Sequence, residues 1–195
     1  MSRSEKFANT EITWNMSYEA FRTTLSACGL PIETWGSDGA KSVRSLHDEY
    51  LKGKTRLHML PDRGLVRRVR VAWVDVFGVN QQGQTVRLKE DRQELEDGSV
   101  RRRNLVSSLG EKVLRGEANW QAAERALSGE LGVRYTTVSF VGYQESFRLS
   151  DSYPGLDAYW EDNYFTAFLD QSDFRPEGYV EYQADKTNFH TWVPL

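Results

Sequence analysis

One stretch restricts what this chain can fold into more than any other: GEKVLRGEANWQAAERALSGELGV, residues 110 to 133. A glycine-containing loop leads to Asn119, a residue type that suits a helix N-cap. The periodic run then stops at Gly132, which suits the left-handed position after a helix. The spacing therefore predicts a loop, a helix and a second loop. Trp120, Ala123, Leu127 and Leu131 recur at intervals of three and four, a stripe for a core. Ala126, Gly129 and Glu130 fall off that stripe, within about a third of a turn of one another, and form the predicted free side.

The flanking segments supply the surface for such a helix. Residues 65–79, LVRRVRVAWVDVFGV, begin with partial alternation and become almost continuously apolar from Val69, as a strand does on entering the middle of a covered sheet. Pro61, Asp62 and Gly64 separate it from a shorter strand over 55–60. The turn NQQGQ leads to TVRLKEDRQEL, and Asp97-Gly98 to SVRRRN, so 65–104 reads as a three-stranded meander. After Gly132, RYTTVSFVGYQESFRLS, AYWEDNYFTAFLD and TNFHTWV carry strand composition, with FRPEGYVEYQADK as a polar loop. Before residue 55 the pattern is helical. Phe21, Leu25 and Cys28 share one face of a helix over 17–28, with Cys28 as a small buried residue. Val43, Leu46 and Tyr50 share a face of a second over 40–52, leaving His47 solvated or locally bonded. The fold class is α/β, a mixed sheet covered by helices.

Composition narrows the class of function. The 195 residues, 39% apolar and 12% aromatic, are enough for a substantial core. A net charge of −3 gives no basic field for nucleic acid or an anionic membrane surface. Cys28 is the single cysteine, which excludes a disulfide framework and fits a reducing intracellular compartment, the cytoplasm or an organelle matrix. Three scattered histidines with one cysteine exclude a zinc site of the Cys/His kind. The N-terminus lacks a secretory core, and no apolar run approaches the roughly 18 residues of a membrane span, so a soluble protein is expected.

Within residues 110–133, Glu117, seven intervening residues, Arg125, Leu127, Glu130, Gly132 and Val133 resemble the Nudix box, Gx5Ex7REUxEExGU with U aliphatic. The resemblance implies a Nudix-like α/β/α sandwich around a mixed sheet (55–195), here with an extra helical N-terminal extension (1–54). It also implies Mg2+ or Mn2+ as cofactor and hydrolysis of nucleoside diphosphates linked to another group. The departures are chemical. The leading glycine of the pattern falls on Glu111, one place after Gly110, and two helix carboxylates fall on Ala126 and Gly129. Families of this fold also close the sandwich with a second helix near the C-terminus, for which this sequence has no match.

On that resemblance Glu130 and Glu117 are the candidate catalytic residues, and Glu130, Glu117 and Glu111 the candidate metal ligands if a metal binds. Magnesium needs several hard oxygen ligands in near-octahedral array, so one carboxylate on the helix face is poor provision. Glu90, Asp91 and Glu94 could rebuild an acidic cluster, although acids interleaved with Arg92 also suit a solvated strand. Arg68, Arg70, Arg103 and Arg125 are the candidate ligand-binding residues, because a guanidinium pairs with phosphate through planar donors. Charge on strands also protects sheet edges from aggregation. Three functions follow: a binding module for a nucleotide-like molecule or a protein, a divergent metal-dependent pyrophosphohydrolase, or a structural subunit of a larger assembly.

Overall fold

The structure is a computed structural model that describes residues 7, 10–12, 15–37, 39–103, 105, 107–133 and 135–195. Expectations touching residues 1–6, 8, 9, 13, 14, 38, 104, 106 and 134 lie outside these. The fold is mixed α/β, with the described strands bonded in the order β6-β7-β2-β3-β9-β8, β1 and β5 on β2, and β4 on β3. They are β1 (Arg56–Leu60), β2 (Gly64–Val79), β3 (Thr85–Leu95), β4 (Val100–Arg101), β5 (Leu109–Lys112), β6 (Tyr135–Arg148), β7 (Asp157–Leu169), β8 (Tyr179–Tyr182) and β9 (Lys186–Pro194). The chain divides into two compact units. The first comprises Met1–Arg70, Lys112–Gly116 and Gln144–Glu161, and the second Val71–Glu111, Glu117–Tyr143 and Asp162–Leu195.

In the first unit, α1 (Tyr18–Ala27) starts at Ser17, whose hydroxyl accepts the Ala20 N–H, and α2 (Val43–Leu51) starts at Ser42, whose hydroxyl accepts the Ser45 N–H. Both caps satisfy donors that a first turn leaves open. Phe21, Leu25, Leu46, Tyr50, Leu57, Leu65, Tyr153 and Leu156 form the core. His47 corrects its solvated reading: it is 4% exposed, packs against Phe21, and bonds the Met16 carbonyl through Nε2 at 2.9 Å. Cys28 is half-buried rather than buried. Glu49 of α2 meets Lys112 at 2.7 Å, Lys41 at 3.1 Å and Arg67 at 3.2 Å. Burial alone would raise its carboxyl, but Lys112 and Arg67 outweigh that and hold it at about 2.

In the second unit, β2 and β3 form a hairpin with Val79 opposite Thr85, closed by Asn80, whose Oδ1 accepts the Gln82 and Gln84 N–H groups. The meander continues into β4 as expected. The apolar run of β2 is less uniformly covered than its sequence predicts. Val71 and Ala72 are adjacent and both buried, so the phase of burial slips there, and beyond it Trp73, Asp75 and Phe77 stay half-buried. Residues 179–182, expected in a loop, form β8 antiparallel to β9. No helix follows Leu131 among the described residues, and none of the described helices is long and apolar enough to cross a membrane.

Candidate functional site

The loop that opens the 110–133 stretch is fixed at its start by a close approach. A Cβ built on Gly110 would lie 2.3 Å from the Trp73 ring, and the Trp73 Nε1 donates to Asp162 at 2.8 Å. Only glycine lets the backbone lie on that indole. The next residue, Glu111, accepts Arg125 Nη1 at 2.8 Å, while Glu117 takes Arg125 Nε and Nη2 at 3.0 Å each. One guanidinium therefore ties both ends of the loop to the helix. The Glu117 pairing, and then Glu111, raise the Arg125 pKa further above its ordinary value.

The helix, α3 (Asn119–Ala126), continues as a wide π turn over Leu127–Leu131 and stops at Gly132 with φ 63°. Asn119 is its first residue rather than its cap. The Ala118 N–H is taken by Gln121 Oε1 at 2.9 Å, and the Asn119 amide instead donates to Asn163 at 2.7 Å. The core stripe is rotated from the expected one. Ala122, Ala123, Ala126, Leu127 and Leu131 are buried, whereas Trp120 is 53% exposed. Small side chains let the helix backbone come close to its support, which the bulk of Trp120 would prevent. Ala126 thus leaves the free side, and Gly129 and Glu130 remain. A Cβ on Gly129 would meet nothing within 4 Å, so close backbone approach does not explain that glycine.

Glu130 faces a polar patch that the sheet builds from three strands. Glu90 of β3 pairs with His190 of β9, which pairs with Tyr179 of β8. One step along, Gln93, Asn188 and Glu181 form a second row. Register partners share a face of a sheet, so these polar side chains stand together, and Glu90, Gln93, Asn188 and His190 are each under 5% exposed. Arg103 binds both oxygens of Glu90, Gln93 donates to Asn188 at 2.8 Å, and Asn188 donates to Glu181 at 2.5 Å. Burial, then the charges of Glu181 and Glu111, push the Glu130 carboxyl up to about 8. Burial holds His190 below its ordinary value, and its Nδ1 has no partner among the described residues.

The sequence-derived candidates therefore separate. Glu111, Glu117 and Arg125 are interlocked, while Glu130 and Arg103 share the polar patch. Arg68 and Arg70 belong to the first unit, where Arg68 binds Glu161 at 2.7 and 3.0 Å and Arg70 donates to the Leu114 carbonyl at 3.0 Å. The donor set does not fit a divalent ion. Both Glu117 oxygens are engaged by Arg125, and no three His, Cys, Asp or Glu among the described residues are grouped to hold a metal.

No family model and no curated protein sequence matches the chain. Similar solved structures are Nudix proteins. The Ap4A hydrolase of C. elegans has a TM-score of 0.37 and 15% identity, with 65% of this chain and 80% of that chain covered. The NUDIX domain of Shewanella oneidensis NrtR, complexed with ADP ribose, has a TM-score of 0.38 and 13% identity, with 65% and 73% covered. At that level of similarity, the roles of individual residues rest on this chain's own loop and helix.

Sequence reasoning missed Glu181, His190, Gln93 and Asn188. For two of them the signal was present in β9, where Asn188 and His190 alternate with Phe189 in a segment otherwise read as apolar strand. Beside the patch, Lys89, Glu90, Asp91, Arg102 and Arg103 line a groove of about 390 Å³. Its arginines hold carboxylates: Arg102 meets Asp91 at 2.7 Å, and Arg103 meets Glu90.

Proposed function

We propose that this chain is a Nudix-like domain that has lost its metal site and binds a nucleotide-like ligand without hydrolysing it. The observation that carries this reading is Glu130. It is the carboxylate that the free turn of the helix retains, burial and neighbouring acids push its pKa up to about 8, and the positions beside it are a buried Ala126 and Gly129, which lacks a side chain. A metal that polarises a phosphoryl oxygen and supplies hydroxide requires ionised oxygen ligands held together. The framework that shapes the loop, Arg125 with Glu111 and Glu117, is kept, so the shape of the site outlives its chemistry. The groove beside Arg102 and Arg103 lies within the usual range of roughly 300–1,000 Å³ for small-molecule sites, and its arginines can exchange a carboxylate partner for a phosphate.

ADP-ribose, the ligand in the NrtR NUDIX domain structure, is a suitable probe. Calorimetric titration is expected to give saturable binding with the same affinity in Mg2+ and in chelator, weakened about tenfold in Arg103→Gln, as for the loss of one charge-assisted contact, with no product formed. The competing reading, a divergent metal-dependent pyrophosphohydrolase, draws on the nearness of Glu90, Glu111 and Glu181 to Glu130. Mg2+-dependent turnover of ADP-ribose that disappears in Glu130→Gln would establish it instead.

A further inference from the structure

Arg56 and Arg68 stand directly opposite each other in the β1–β2 ladder of the first unit. Like charges so placed destabilise an antiparallel pair, and a fold that keeps them retains a local cost. Lys54 and Arg70 line the same pocket as these two arginines, with Gly53, Thr55 and Val113 completing its wall. Arg68 is held by Glu161 and Arg56 lies 4.0 Å from Glu11. At His58, 1% exposed, burial and then the charges of Arg68 and Arg56 depress the imidazole to about 4, against the opposing pull of Glu161. The same repulsion from Arg68, after burial, lowers the Arg56 pKa. The concavity is narrow, with room inside for about one water-sized oxygen, so the remainder of a small anion would sit at its mouth.

We propose that the pocket formed by Lys54, Arg56, Arg68 and Arg70 binds a phosphate-type oxyanion, which offsets the opposed arginines. Planar guanidinium donors match a tetrahedral oxyanion better than they match a spherical halide. The site lies wholly in the first unit and does not depend on how the helix of the second unit is used.

The test titrates the full chain with inorganic phosphate at constant ionic strength, with chloride as the compensating anion. Saturable one-to-one binding is expected, weakened about tenfold in Arg56→Gln and in Arg70→Gln and unchanged in Arg22→Gln, an arginine on the exposed side of α1. Without phosphate, Arg56→Gln should melt about 1–3 °C above the wild type because the opposed pair is relieved, and saturating phosphate should close that gap. The proposal is overturned if phosphate gives no saturable signal over chloride. It is equally overturned if Arg22→Gln weakens binding as much as the pocket variants, or if those variants bind phosphate like the wild type.

Discussion

At Glu130, burial and the neighbouring acids Glu181 and Glu111 favour the protonated carboxyl. Its carboxyl is raised from an ordinary 4.5 to about 8. Between those two pH values the folded protein carries a proton that the unfolded chain has released, so its stabilising effect is complete below pH 4.5 and is lost as pH rises through 8. Replacing Glu130 with Gln fixes the neutral form. Thermal unfolding should show Glu130→Gln more stable than the wild type at pH 9 by on the order of 3 kcal/mol, with the difference vanishing near pH 4.5. Equal stability of the two proteins at pH 9 would mean that the carboxylate is already ionised and compensated. Only part of this was readable from the 110–133 stretch. Spacing located Glu130 on the turn and Glu111 lies in the same stretch, but its burial and the charge of Glu181 come from elements far along the chain.

Helices and strands were legible where one periodicity ran unbroken, and less so where partners decide. The meander over residues 65–104 and the two N-terminal helices follow from apolar spacing and turn residues alone. The rotated stripe of α3 does not, because Trp120 is apolar by composition while close packing prefers Ala122 and Ala126. The π turn after Ala126 also departs from the 3.6-residue repeat on which the helical reading depends. Strand β8 was missed because, among the described residues, its four residues pair with β9 alone. The attachment of α2 is a further case. It rests on Glu49, which serves Lys112, Lys41 and Arg67, and Arg67 is 3% exposed. Glu49→Gln leaves buried cations without their counter-charge and should cost about 3–5 kcal/mol by chemical denaturation. In the wild type, the stabilising effect of this carboxylate is present above pH 4.5 and is lost as pH falls towards 2. An unchanged denaturation midpoint in Glu49→Gln at pH 7 would show that the cluster does not hold α2.

For the molecule as a whole, the separation between fold and chemistry runs through the same few residues. Gly110 on Trp73, Arg125 between Glu111 and Glu117, and Gly132 at the helix end preserve a loop–helix–loop framework. On the proposed reading, the positions that would convert that framework into a metal site are an alanine turned inward, a glycine and an acid whose pKa is raised. The sequence carried the framework because its spacing is local. The polar patch of Glu90, His190 and Glu181 was hidden because it assembles from strands far apart along the chain. The most direct measurement is Mn2+ binding to the full chain at pH 7, followed by electron paramagnetic resonance with ADP-ribose present. The expected result is no site tighter than millimolar, and the same spectrum for the wild type and Glu130→Gln. Stoichiometric Mn2+ binding at micromolar concentration, abolished by Glu130→Gln, would contradict it.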